Sequence, residues 1–342
     1  MGPNQLSGPF TRTRRPRANP RGQERRAELT LGAISLCVLL FIALLLAIVF
    51  HEAWPSFAHN GYCEWFLPGG DVELQLRAIF SGPSQAAHYV YHLRAWPILW
   101  DTILVTGGAV AIGLPFSIFA AVFIAELSPL PLRRVLHPVV RLLAAVPSVV
   151  YGLIGILALA PWIEHNFITQ ADKRSVQAVV QLTGANLSLA MLILAVMICP
   201  IMISLIASAL ASVPRSWVEG SEALGANRWH TISKVCLRTV RPAIVAATVL
   251  ATGRALGESI MIEMVGGSRP FAPNLADGHL VFFEPVQTLA ASIIANFEGL
   301  STVPLGQTLY AMAAVLLVSC ALLSLAGWAV RRPMQKRYGI AL

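Results

Sequence analysis

Ala243-Ile-Val-Ala-Ala-Thr-Val-Leu-Ala-Thr-Gly-Arg-Ala-Leu-Gly-Glu-Ser-Ile-Met-Ile-Glu-Met-Val265 is a mainly apolar run with Arg254 at its midpoint. At ~1.5 Å of rise per residue, such a run is long enough to cross ~30 Å of hydrocarbon. A guanidinium at that depth costs at least ~2.5 to 3.5 kcal/mol on insertion scales, so it must pair, face a water-filled path, or do both. Glu258 lies four residues on, and a continuous helix would place Arg254, Glu258, Met261 and Val265 on one face. Gly253 and Gly257 then form a small-xxx-small pair on the adjoining face, suited to close helix approach. One reading is a salt bridge that only fixes a bundle. The other is that Arg254 meets an anion and Glu258 holds the guanidinium when the path is empty. A planar fork that donates two parallel hydrogen bonds suits tetrahedral oxyanions, and residue chemistry alone goes no further than that.

The rest of the chain fits a bilayer. Of 342 residues, 56% are hydrophobic and 12% charged, which excludes a soluble globular or a disordered protein. The net charge of +8 comes from 25 basic residues, most of them arginines flanking apolar segments, a topology signal rather than a nucleic-acid face. The five cysteines occur singly, without a disulfide framework or zinc-ligand spacing. Six segments are long and apolar enough to span: 29–50, 103–125, 142–162, 187–210, 243–265 and 309–330. The first exceeds the ~7 to 15 apolar residues of a signal peptide and no small-residue cleavage site follows, so it is expected to be retained.

Lys and Arg set the orientation. With a cytoplasmic N-terminus, the inner connections carry seven, three, five and four of them and the outer ones two, two and one; the positive-inside rule then puts both termini in the cytoplasm. The expected organisation is a disordered basic tail over 1–28 that could touch anionic membrane lipid, a first helix with a long outer loop over 29–102, a transmembrane core over 103–330, and a cytoplasmic tail over 331–342. In the outer loop, Trp54, Tyr62, Trp65, Trp96 and Trp100 read as interfacial anchors.

Between the fourth and fifth spans stands Ser212-Val-Pro-Arg-Ser-Trp-Val-Glu-Gly-Ser-Glu-Ala-Leu-Gly225. Ser212 is expected to cap a helix with Pro214 in its first turn, Gly225 to end it and Asn227 to cap the next. Two short helices meeting at an angle have the outline of a helix-turn-helix, but tethering to the membrane at both ends argues against entry into a DNA groove. Glu219, Gly225 six residues later, and Val235 with Leu237 resemble the EAA loop of ABC-transporter permeases, with Gly220 and Ser221 where two alanines are usual, Val235 for Ile and Arg238 for Pro. That resemblance implies that Glu219, Glu222, Ala223 and Gly225 belong to a helix and turn that dock on a cytoplasmic ATPase. No Gly-x-x-x-x-Gly-Lys-Ser/Thr occurs in the chain, so ATP and Mg are expected in a partner subunit, and this chain is expected to be non-catalytic and to carry no cofactor or metal.

Together, Gly253-Arg-Ala-Leu-Gly-Glu-Ser259, Pro147-Ser-Val-Val-Tyr-Gly152 and Gln287-Thr-Leu-Ala-Ala-Ser-Ile-Ile-Ala-Asn-Phe297 resemble the PstC family, permease subunits of the bacterial phosphate-specific ABC transporter. The resemblance covers roughly residues 98–330. The Gly before Arg254 and Leu256 favour this type over the sister permease, PstA. It implies an all-α integral membrane protein of the type I ABC importer permease fold in the bacterial plasma (inner) membrane. It further implies a PstA-like sister permease, a dimeric PstB-like ATPase and an extracytoplasmic PstS-like phosphate-binding protein. Phosphate would pass near Arg254, and Pro147 and Gly152 would serve helix packing. Asp101 departs from the family, which usually has Gly there. A sulfate or molybdate permease is the alternative within the class. A membrane phosphatase is the alternative outside it, resting on Lys234 and Arg241-Pro242 but lacking the other motifs of such enzymes.

Overall fold

The computed structural model describes residues 20–83, 88–176, 181–273 and 275–338. Among these, the secondary structure is helical apart from one isolated parallel bridge between Gly267 and Val286. Residues 1–51 and 52–342 form two units. The first is described from Pro20, where α1 (Pro20–Asn60) begins, and from residue 29 to residue 50 its side chains are exposed except for half-buried Val49. A helix that is apolar all round belongs in lipid. The tail expected over 1–28 lies outside the described residues up to residue 19, whereas residues 20–28 are helical rather than disordered. At the other end, residues 331–338 continue the last helix, and 339–342 lie outside the described residues.

In the second unit, α2 (Tyr62–Trp65) and α3 (Val72–Phe80) occupy the loop expected between the first two spans. Then come α4 (Trp96–Val122), whose last turn continues as a π-helical turn over Phe123–Leu127, and α5 (Leu130–Ala145). The helix α6 (Ser148–Ile154) runs through a π-helical turn at Gly155–Leu159 into α7 (Ala160–Phe167), and α8 (Gln170–Val176) follows. The central helix is α9 (Leu187–Ala211), begun by Asn186, whose side chain accepts a hydrogen bond from the Leu189 N–H at 3.0 Å. Beyond it lie α10 (Arg215–Ala223), α11 (Arg228–Thr231), a π-helical turn at Ile232–Cys236, and α12 (Leu237–Thr239). The chain closes with α13 (Arg241–Leu256), α14 (Ile260–Val265), a 3-10 segment Leu275–Phe283, α15 (Leu289–Ala295) and α16 (Val303–Tyr338).

Five helices of the described residues are long and apolar enough to cross a membrane: Glu28–Asn60, Trp96–Leu127, Ser148–Phe167, Leu187–Ala211 and Val303–Met334; the pair Arg228–Thr239 and Arg241–Leu256, bent by 64°, supplies a sixth. Two expected spans are redrawn. The span expected over 142–162 begins instead at Ser148, because Val146 and Pro147 are extended, the conformation proline imposes on itself and on the residue before it. The span expected over 243–265 is not one helix but α13 and α14, separated at residues 257–259.

Two large apolar clusters and a small one at Ile168 and Leu182 hold the second unit. The largest surrounds α9, whose Leu189, Leu194, Ile198, Met202 and Ile206 are fully buried against α4 and α13. In lipid this is held by packing rather than by escape from water. The second joins Trp65, Val72, Leu76, Ile79, Leu93 and Ile98 to Leu289, Leu305, Leu309 and Met312. Trp65, expected at the interface, is a fully buried core residue, while Trp54 is exposed.

Candidate functional site

Two helix breaks define the site. At Pro147, the carbonyl of Leu143 lies where the helix ends, and the Tyr151 hydroxyl donates to it at 2.9 Å. That bond bridges the break by returning a donor to the interrupted ladder. At the second break, Thr248 and Thr252 first bond back to the carbonyls four residues earlier, which loosens a helix. Gly253 and Gly257 follow, each costing a helix ~1 kcal/mol relative to alanine. The chain resumes at Ile260, with the Met261 N–H donating to the Glu258 carboxylate at 3.4 Å.

Glycine brings the two breaks together. A Cβ on Gly152 would lie 3.3 Å from the Met261 Cα, and one on Gly155 would lie 2.7 Å from a Val265 methyl. Helices α6 and α14 therefore run side by side in the same direction. Counting back from these contacts at ~1.5 Å per residue, the breaks lie at nearly the same level. A Cβ on Gly155 would also sit 3.3 Å from the Ile193 side chain, six residues into α9. Pro147 is ~12 Å further along its helix, beyond the midpoint of α9. Both breaks are thus deep in the membrane-crossing layer, where irregular backbone is tolerated when buried in protein or lining a cavity.

Arg254 stands one turn before the second break, exposed on the surface of the chain. Tyr151 of the motif at 147–152 lies beside the first break and Arg254 of the motif at 253–259 beside the second. The expected pairing of Arg254 with Glu258 is not found. The helix ends at Leu256, so Arg254 and Glu258 do not share a helical face, and Glu258 instead caps α14. Arg254 forms no ion pair among the described residues. Gly253 and Gly257 are also placed differently from expectation, since a Cβ on Gly253 would meet nothing within 4 Å and one on Gly257 only its own helix's carbonyls. At these two breaks the glycines in close contact with a neighbouring helix are Gly152 and Gly155.

Near the start of α4 lies a polar lock that the sequence does not announce. Buried Asp101 accepts from the Gln287 N–H at 2.7 Å, and the Thr102 hydroxyl accepts from the Leu289 N–H at 2.9 Å. The Gln287 amide then donates to Glu263 of α14 at 3.0 Å. Asp101 had been noted only as a departure from a usual glycine, and Gln287 only as the start of a motif. Their pairing spans 186 residues of sequence, and no local pattern reports it.

Between the fourth and fifth spans, α10 ends at Ala223 and Gly225 takes φ +83°, a left-handed turn that glycine adopts without strain. The Asn227 side chain caps α11 by accepting from the His230 N–H at 2.7 Å. Ser212, expected to begin α10, instead donates to the Ala209 carbonyl at the end of α9. Ser221 and Thr231 hydroxyls bond at 2.9 Å and fix the angle between α10 and α11. Glu219, Glu222, Ala223 and Gly225 are all exposed, and Leu224 at the tip is 90% exposed.

Residues 113–333 match the family described as "Binding-protein-dependent transport system inner membrane component". The chain belongs to that family. It is 31% identical over 281 residues to the "Probable phosphate transport system permease protein PstC" of Methanocaldococcus jannaschii, covering 79% of this chain and 81% of that one. It is 36% identical over 223 residues to the "Probable ABC transporter permease protein YqgH" of Bacillus subtilis, covering 65% and 66%; the match thus spans just under two thirds of that relative. Against the "Phosphate transport system permease protein PstC" of Haemophilus influenzae it is 31% identical over 59% of this chain and 64% of the other. Among solved structures, a bacterial alginate ABC transporter chain superposes with a TM-score of 0.57 at 14% identity, covering 92% of this chain and 98% of that one, a likeness of fold. The protein is accordingly a PstC-like permease of the type I ABC fold, an inner-membrane, non-catalytic transport subunit.

Proposed function

We propose that this chain forms half of the translocation path of an ATP-driven importer of inorganic phosphate. Arg254 carries the reading. Its guanidinium is exposed on the chain, has no ion-pair partner among the described residues, and lies one turn from the level where two membrane helices break. A charge so placed is costly in lipid and is stabilised by a partner subunit's polar surface or by an anion in a wet path. Relatives named as phosphate transport permeases favour phosphate.

A sister permease covers the Arg254 face, and the open flanks of Gly253 and Gly257 suit its close approach. A separate ATPase, which holds ATP and Mg, docks on the exposed residues 219–225, and an extracytoplasmic binding protein delivers phosphate. Both termini lie in the cytoplasm, as the Lys and Arg distribution favours. Closure of the motor moves α10, and the pivots at Pro147 and at residues 257–259 let the outer and inner halves of the path open in turn. Glu258 holds the second pivot by capping α14.

The test is ATP-dependent uptake of radiolabelled phosphate by proteoliposomes containing this chain, its sister permease, the ATPase and the binding protein. Uptake that resists excess sulfate and molybdate is expected; uptake of another oxyanion instead would overturn the substrate and leave the permease.

A further inference from the structure

A cavity of about 360 Å³ opens where the end of α4, the start of α5, α10 and α11 meet. Its size falls within the ~300 to 1,000 Å³ of small-ligand sites. Arg133, Arg215 and Arg228 converge on it from three different helices, alongside Glu126 and Glu222. A smaller adjoining cavity of about 40 Å³ shares Arg133, Arg215 and Glu126.

None of the three arginines forms an ion pair among the described residues, although both glutamates line the same space. Arg228 is committed in part, donating to the Glu126 backbone carbonyl. Arg133 is half-buried, so its charge is screened less than that of a free surface residue. Positive charge at the cytoplasmic face serves topology wherever it sits along a connection. Topology does not require three guanidiniums from separate elements to share one cavity. Three forks around one space match the several acceptor oxygens of a phosphate group, which guanidinium binds bidentately.

We propose that this cavity binds a phosphate group, either of inorganic phosphate in the cytoplasm or of an anionic lipid headgroup, and thereby ties α10 to α5. The site is separate from Arg254 and does not depend on the transport reading. Its occupant would span the helix expected to contact the motor and the helix that leads to the Pro147 break, so occupancy would stiffen the joint between them.

The test uses the full-length chain carrying Arg254→Gln, so that the membrane site is silent, in nanodiscs of phosphatidylcholine. Saturable binding of radiolabelled inorganic phosphate is expected, weakened at least tenfold by Arg133→Gln or Arg215→Gln. Glu222→Gln, which removes a competing charge from an exposed position, is expected to tighten it severalfold, a gain that a disturbed fold would not give. In a parallel arm, native mass spectrometry follows retained phosphatidylglycerol after reconstitution in mixed lipid. Loss of one tightly held phosphatidylglycerol in Arg133→Gln, without inorganic phosphate binding, would assign the lipid as source. Binding of neither probe, or binding of both unchanged by all three substitutions, overturns the site.

Discussion

The cluster around Trp65 and the face around Arg254 treat polar groups differently. Near the start of α4, Asp101, Thr102, Gln287 and Glu263 are engaged by one another and by backbone N–H groups of the same chain. They lie beside a core in which Trp65 and Leu93 have no exposed surface. At the helix breaks, the Tyr151 hydroxyl and the Glu258 carboxylate bond to backbone groups beside the breaks, and Arg254 is exposed. The first set of groups is used inside the chain, although Asp101 Oδ1 and Trp65 Nε1 in the same region are buried without a hydrogen-bond partner among the described residues. The exposed guanidinium of Arg254, which has no ion pair among the described residues, is on the proposed reading available to something outside the chain.

The comparison can be broken at either end. Trp65→Ala should produce the largest effect, ~3 to 5 kcal/mol of lost stability from a buried aromatic, read as a lowered melting temperature in detergent. Phosphate uptake per folded complex should stay close to wild type. Arg254→Gln should do the reverse, leaving melting and assembly unchanged. Two charge-assisted hydrogen bonds at ~1.5 kcal/mol each are lost, so uptake should fall on the order of a hundredfold. Arg254→Lys should fall between, because it keeps the charge and loses the fork. Normal uptake by an assembled Arg254→Gln complex would remove this residue from the path.

Smaller effects sharpen the contrast. Asp101→Ala leaves the buried Gln287 N–H without its acceptor and should cost ~1 to 3 kcal/mol, whereas Asp101→Asn keeps an acceptor oxygen and should cost less. Equal losses in the two variants would mean that volume, not the hydrogen bond, matters at this position. Tyr151→Phe removes one bond across the Pro147 break and should cost ~0.5 to 1.5 kcal/mol of stability. A far larger fall in uptake than in stability would place the hydroxyl in the path rather than only in the mend.

The helical, membrane-spanning character of the chain was legible because lipid leaves few alternatives to a helix for an apolar run, and length alone then limits the count. The fourth span, expected over 187–210 and found at Leu187–Ala211, has uniform hydropathy and an asparagine cap, both local signals. The third and fifth spans were drawn as continuous because hydropathy does not report backbone continuity. Pro147 was read as packing rather than as an end, and nothing in residues 257–259 distinguishes a break from a glycine tolerated inside a helix. Arg254 was legible as a costly charge, but its pairing was not, since the i, i+4 argument assumes the helix that the structure interrupts. Trp65 was misplaced because aromatic composition looks the same in an interfacial belt and in a small apolar core.

The sequence by itself determined the solvent of this protein, the number and approximate extent of its spans, and the residue whose burial as an unpaired charge would be hardest to sustain. These follow from side-chain transfer energies and helix rise, which are properties of short segments. Only the tertiary structure decided that two helices break at one level, that Asp101 and Gln287 close on each other across the chain, and that Arg254 turns away from Glu258. Each of those depends on contacts between residues distant in sequence, whose energies no local pattern contains.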